Sequence, residues 1–128
     1  MPQYRNPDNV RAPQGAYSHV AEIKPGGRLI FIAGQVGIDN DGNMGSGFAA
    51  QAEIVFQNII DILVSENMDL SNVVKMTTFL TDPDDVVALR GVREKMMGGV
   101  APPNTLCIIS RLASPEFKIE IEVVAAED

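Results

Sequence analysis

The sequence predicts an α+β fold in which a mixed β-sheet carries two helices on one face. Three observations predict it. Apolar residues recur at spacings of three and four in one segment while a second opens on a helix-start signal and closes on a glycine pair, a β-branched run lies between them, and the last segment alternates apolar with charged residues. With 128 residues, 45% hydrophobic and 21% charged, the chain reads as one globular domain over residues 1–128 that buries roughly two-thirds of its unfolded surface.

The elements follow in order. Residues 18–24, SHVAEIK, alternate loosely; Pro25-Gly26-Gly27 interrupts, and residues 28–34, RLIFIAG, resume. Two strands joined by a tight glycine turn are predicted there. The second run is apolar on both faces, as expected of a strand covered on both sides. After the polar loop IDNDGNMGSG, Phe48, Ala52, Val55, Phe56, Ile59, Ile62 and Leu63 form one stripe, which predicts a helix over residues 46–66 with Ser46 as its N-cap. Residues 71–82 are β-branched and read as a strand. Asp82-Pro83-Asp84-Asp85 then has the form of a helix start, and Gly98-Gly99 stops that helix after Met97. NTLCIISRL, from Asn104, is the next strand and FKIEIEVVA, residues 117–125, the last. In the last, Phe117, Ile119, Ile121 and Val123 face one way and Lys118, Glu120 and Glu122 the other. The predicted order is β-β-α-β-α-β-β. Two helices cover one face of such a sheet, so the other needs a partner, and a homo-oligomer is expected.

Charge narrows the function classes. A formal charge of −7, with ten Lys and Arg against 17 Asp and Glu, counts against a nucleic-acid partner. The single cysteine rules out an internal disulfide and points to a reducing compartment, read as the cytoplasm. MPQYRNPDNV has no apolar core, so neither a secretory leader nor a membrane partner is expected.

The short motifs mostly have structural readings. GSGFAA, residues 45–50, fits a dinucleotide fingerprint in spacing but follows a polar loop instead of a strand. DNDG, residues 39–42, lacks the ligand alternation and closing Glu of a calcium loop and reads as a turn. His19 is the only histidine, which leaves no histidine-based metal cluster, and at a strand start it reads as solvated. Cys107 has no neighbouring base in sequence and reads as a packed thiol. Glu120 and Glu122 are different. On the side away from the helices they either face water or serve a cleft, and a water-excluding oligomer face would require a reason for their presence.

Three stretches, GAYSHV near the N-terminus, AAQAEIVFQNI on the first helix, and PNTLC…RL…KIEIEVVA at the C-terminus, together resemble the RidA/YjgF family, also labelled L-PSP endoribonuclease or translation inhibitor. The resemblance covers nearly the whole chain. It implies a chorismate-mutase-like fold assembled as a homotrimer with clefts between subunits, and hydrolysis of reactive enamines and imines to a keto acid and ammonia without metal or cofactor. In the family, an Arg grips the substrate carboxylate, a Glu on the last strand orders the attacking water, and a Tyr closes the cleft. Position by position, the resemblance places Tyr17, Cys107 and Glu120 in the family's Tyr, Cys and water-positioning Glu positions. Thr105 stands where the family's deaminases carry Arg, Ala33 where a Ser is common, and Arg90 where Asn is common. A charged bidentate contact exceeds a neutral hydrogen bond by about 1–2 kcal/mol, so Thr105 implies an altered substrate range. Arg90 either replaces the lost charge or is a solvated helix arginine paired with Glu94. The expected function is a divergent imine or enamine hydrolase, with a small imine, enamine or carboxylate as ligand. A non-catalytic small-molecule binder is the alternative, and a ribonuclease or translation inhibitor is disfavoured by the acidic charge.

Overall fold

The computed structural model describes residues 1–127. Strands β1 (Gln3–Arg5), β2 (Val20–Glu22) and β3 (Leu29–Val36) precede helix α1 (Phe48–Ser65). Strand β4 (Val73–Leu80), helix α2 (Val86–Met97) and strands β5 (Asn104–Ile108) and β6 (Ile119–Ala126) complete the chain. The main sheet has the order β3-β6-β4-β5. β6 runs antiparallel to both its neighbours, and β4 runs parallel to β5. This is the mixed α+β architecture expected from the sequence, with the last strand inserted at the centre of the sheet.

Helix α1 forms because its apolar residues fall on one stripe: Phe48, Ala52, Val55, Phe56, Ile59 and Leu63 are all buried. By length and composition alone α1 could cross a bilayer, but this stripe packs on β3 and β6. Its N-cap is Gly47, at φ 88°, and not Ser46; the left-handed backbone at this junction suits glycine and leaves the Ser46 hydroxyl outside the cap. The C-terminus is a paired-bond cap built on Asn67 at φ 58°, with Met68 N–H donating to Leu63 C=O at 2.8 Å and Asn67 N–H to Val64 C=O at 3.0 Å. Helix α2 is entered as predicted. The Asp82 carboxylate accepts from Asp84 N–H at 2.9 Å, Pro83 opens a 3₁₀ turn, and Gly98 at φ 59° ends the helix.

The N-terminal strands depart from the expectation. β2 and β3 do not pair across the Pro25-Gly26-Gly27 turn; β2 pairs with β1, and β3 pairs with β6. The alternating Ile30 and Ile32 of β3 find their complement opposite Ala125 and Val123 of β6, which no hairpin with β2 offers. β1 carries no apolar pattern and is held by specific contacts. Arg5 pairs with Glu22 at 2.9 Å, and the Tyr4 hydroxyl donates to Val73 C=O at 2.5 Å. Burial, helped by the Asp69 charge, pushes the Tyr4 phenol up to about 12.

The sheet's two faces differ sharply. Ile119, Ile121, Val123 and Ala125 of β6, with Met76, Thr78 and Leu80 of β4, are buried against the helix layer. The opposite face bears Leu29, Phe31 and Ala33 of β3, Lys75, Thr77 and Phe79 of β4, Thr105 and Cys107 of β5, and Glu120 and Glu122 of β6. Leu29 is 51% and Phe31 74% exposed there, so an apolar patch stays open to solvent in the single chain.

Candidate functional site

The candidate residues fall into two groups separated by edge strand β5, whose side chains alternate between the faces of the sheet. Thr105, Cys107, Glu120 and Ala33 belong to the open face. Register places Cys107, Phe79 and Glu120 in one row across β5, β4 and β6, and Thr105, Thr77 and Glu122 in the next. Two strand spacings therefore separate Cys107 from Glu120, about 10 Å. Glu120 lies over Gly34 of β3, where an added Cβ would overlap its carboxylate. No ion pair or hydrogen bond holds that carboxylate among the described residues, so it stands free on the face.

Thr105 has a role that the sequence did not reveal. Lys75 Nζ donates to Thr105 Oγ1 at 2.6 Å, so this position holds a cation without being one. The parallel pairing of β4 with β5 brings the two together across 30 positions. The only sequence signal for Lys75 is its place in the β4 alternation. Ala33, Lys75, Thr77 and Glu122 share an open depression with Phe31 on this face.

Tyr17 and Arg90 belong to the second group. They line a cavity of about 300 Å³ between α2, β5 and the N-terminal arm, with Arg93, Asn104, Gln14 and an apolar floor that includes Leu89. The arm is tied down beside it. The buried Ser18 hydroxyl donates to Ala101 C=O at 2.8 Å, His19 N–H donates to Asn6 at 2.8 Å, and the His19 ring meets the Tyr17 ring edge-on at 5.7 Å. His19 is thus half-buried and engaged, its Nε2 lying 2.7 Å from Arg11 C=O. Arg90 points to this cavity and forms no ion pair with Glu94 among the described residues. Arg93, one turn on, is a second guanidinium that the sequence reading passed over. Desolvation, and then the neighbouring Arg90 charge, hold its pKa below the usual arginine range.

Among the described residues no group of three or more His, Cys, Asp and Glu side chains could hold a metal ion. DNDG is the expected turn, with Asp39 Oδ1 accepting from the backbone N–H groups of Asp41 and Asn43 at 3.0 and 2.9 Å.

Residues 8–127 match the family model described as endoribonuclease L-PSP. The chain belongs to the RidA/YjgF family. A mitochondrial protein from Schizosaccharomyces pombe, mmf2, is 36% identical over 108 residues, covering 82% of this chain and 84% of that protein. A rat protein named 2-iminobutanoate/2-iminopropanoate deaminase is 29% identical over 115 residues, covering 88% and 81%. Among solved structures, YyfB from Yersinia pestis, a Rid-family protein of unknown function, superposes with a TM-score of 0.87 at 28% identity, covering 98% of each chain. At that TM-score the Rid-family structure shares this chain's fold over nearly its whole length.

Proposed function

We propose that this Rid-family chain hydrolyses small reactive imines and enamines in clefts between three copies of itself. The observation that carries the reading is the Glu120 carboxylate, unpartnered on the open sheet face above Gly34 and in one row with Cys107. The similarity to a protein named as an imine deaminase supports it. Packing copies together along the open face encloses Glu120, and a seam at edge strand β5 gives residues on either side of that strand access to one cleft.

The chemistry asks little of the protein. An iminium carbon is already electrophilic, so anchoring the substrate and placing one water suffice. Water adds to the C=N carbon while Glu120 accepts its proton. The proton then passes to the nitrogen, the C–N bond breaks as Glu120 takes the remaining hydroxyl proton, and the keto acid and ammonia leave, the ammonia carrying that proton away as ammonium. Tyr17 and Cys107 wall the cleft, Ala33 and Thr105 line it, and Arg90 contacts the ligand. With Thr105 in place of an arginine, the positive charge comes from Lys75 on the sheet face and from Arg90 at the rim. Small monocarboxylate imines therefore lose the bidentate grip that arginine-bearing relatives give them. The lone thiol fits a reducing compartment, and with mmf2 a mitochondrial protein the cytoplasm is not singled out.

The test is ammonia release from imines generated in situ by an amino-acid oxidase. At least one imine of a broad panel is expected to hydrolyse well above its spontaneous rate, and 2-iminopropanoate more slowly than with an arginine-bearing relative. Parity on 2-iminopropanoate would contradict the role given to Thr105, and a panel at the spontaneous rate throughout would leave a binder.

Gly34 offers an independent check. A methyl group there would overlap the Glu120 side chain from Cγ to Oε2 and force it to turn aside, so Gly34→Ala is expected to lower stability by about 1–3 kcal/mol while leaving the chain folded. Turnover should nonetheless fall about 10- to 100-fold, because the water-positioning group has moved. Full activity in Gly34→Ala would show that the carboxylate's position does not matter.

A further inference from the structure

The cavity beside α2 is unusual for so acidic a chain. It is lined by two arginines and no carboxylate, although Asp and Glu outnumber Lys and Arg by 17 to ten. Arg93 Nε is buried without a hydrogen-bond partner. The rest of this guanidinium is half-buried on the cavity wall and donates no hydrogen bond among the described residues, so an anion in the cavity would supply the acceptor that its outward nitrogens lack. Arg90 and Arg93 stand three residues apart on α2, which puts their Cβ atoms about 5–6 Å apart on one helix face.

The remaining polar groups point the same way. Asn104 Oδ1 is engaged, accepting from the buried Thr78 hydroxyl at 2.9 Å, which leaves its Nδ2–H donors for the cavity. The Tyr17 hydroxyl and the Gln14 amide add further donors at the rim. The lining is rich in donors, doubly cationic and short of acceptors. One negative charge would leave the second guanidinium unmatched; two would balance the pair. The volume, about 300 Å³, lies at the lower end of small-molecule clefts, which run roughly from 300 to 1,000 Å³.

We propose that Arg90 and Arg93 together form a receptor for a doubly charged anion, a phosphate or a pair of carboxylates, so that the ligand of this cleft carries such a group. The identification of that ligand with the substrate rests on the imine-hydrolase reading; the receptor itself does not.

The test is calorimetric titration of the full chain with malonate, inorganic phosphate and acetate, at matched ionic strength and slightly alkaline pH. Malonate or phosphate is expected to bind at least about tenfold more tightly than acetate. Preference for malonate assigns paired carboxylates, and preference for phosphate a phosphoryl group. Arg93→Met and, at an exposed position, Arg90→Gln should each abolish the preference. Arg93→Met should also melt higher than the parent without anion, since it removes a buried N–H that has no partner and one of two like charges on the same helix face. Equal weak binding of all three anions, or an unchanged profile in both variants, would overturn the receptor. Dianion binding without accelerated hydrolysis of any imine would keep the receptor and remove the hydrolase. Accelerated imine hydrolysis without dianion preference would do the opposite.

Discussion

Glu120→Gln is expected to lower the rate of ammonia release by about 10²- to 10⁴-fold, the range set by removing a positioned general base. The amide keeps the shape and one acceptor oxygen, so substrate still binds and KM changes little. It cannot take a proton from water, so kcat carries the loss. The substitution also keeps the fold. No described residue pairs with the Glu120 carboxylate, which means that no cation is orphaned, and the melting point should stay within about 0.5 kcal/mol of the parent. Steady-state ammonia assays on the best imine of the panel, with a thermal melt on the same preparation, provide both readouts. An unchanged kcat would move the chemistry away from Glu120 and favour the binding-only reading.

Phe31→Asp is expected to dissociate the assembly and to bring activity down to the spontaneous rate. Phe31 is 74% exposed in the single chain and sits opposite Val124 on the uncovered face. Burying one such ring between copies contributes about 1.5–3 kcal/mol, and the loss recurs at every seam of a closed ring. A carboxylate in its place adds the cost of desolvating a charge with no partner. Within one protomer the same side chain meets mostly solvent, so the folded chain should survive, with its far-ultraviolet circular dichroism intact. A cleft built at the seam then disappears while each protomer persists. A monomeric Phe31→Asp chain that retains full turnover would show that the site is complete within one copy.

The parts of the fold that were legible in sequence are those with strong local period. The alternation of Ile119, Ile121 and Val123 against Glu120 and Glu122 is what the structure buries and exposes, and the α1 stripe from Phe48 to Leu63 meets the sheet as expected. That alternation also made Glu120 legible as a site candidate. What escaped was set by long-range pairing or single contacts. β1 has three residues and no apolar signal, and it exists because Arg5 meets Glu22 and Tyr4 meets Val73. The tight glycine turn suggested a hairpin, but pairing with β6 satisfied the apolar face of β3 and pairing with β1 took β2.

At the site, Thr105 was legible as the loss of an arginine but not as the holder of Lys75, because parallel pairing of β4 with β5 leaves no local trace. Arg90 was open between cleft and solvent, and the structure sets it on the cavity with Tyr17. Arg93 follows from the same helix face once Arg90 and Leu89 are placed, a consequence of three-residue spacing that the sequence contained but the family comparison did not prompt.

Sedimentation equilibrium at micromolar protein is the most direct check, because the hydrolytic role given to Glu120 needs a second copy to close the cleft. The wild-type chain should run at three times the mass of one protomer and Phe31→Asp at the mass of one. A wild-type chain that stays monomeric across that range, with Phe31 and Glu120 both open to water, would contradict the account.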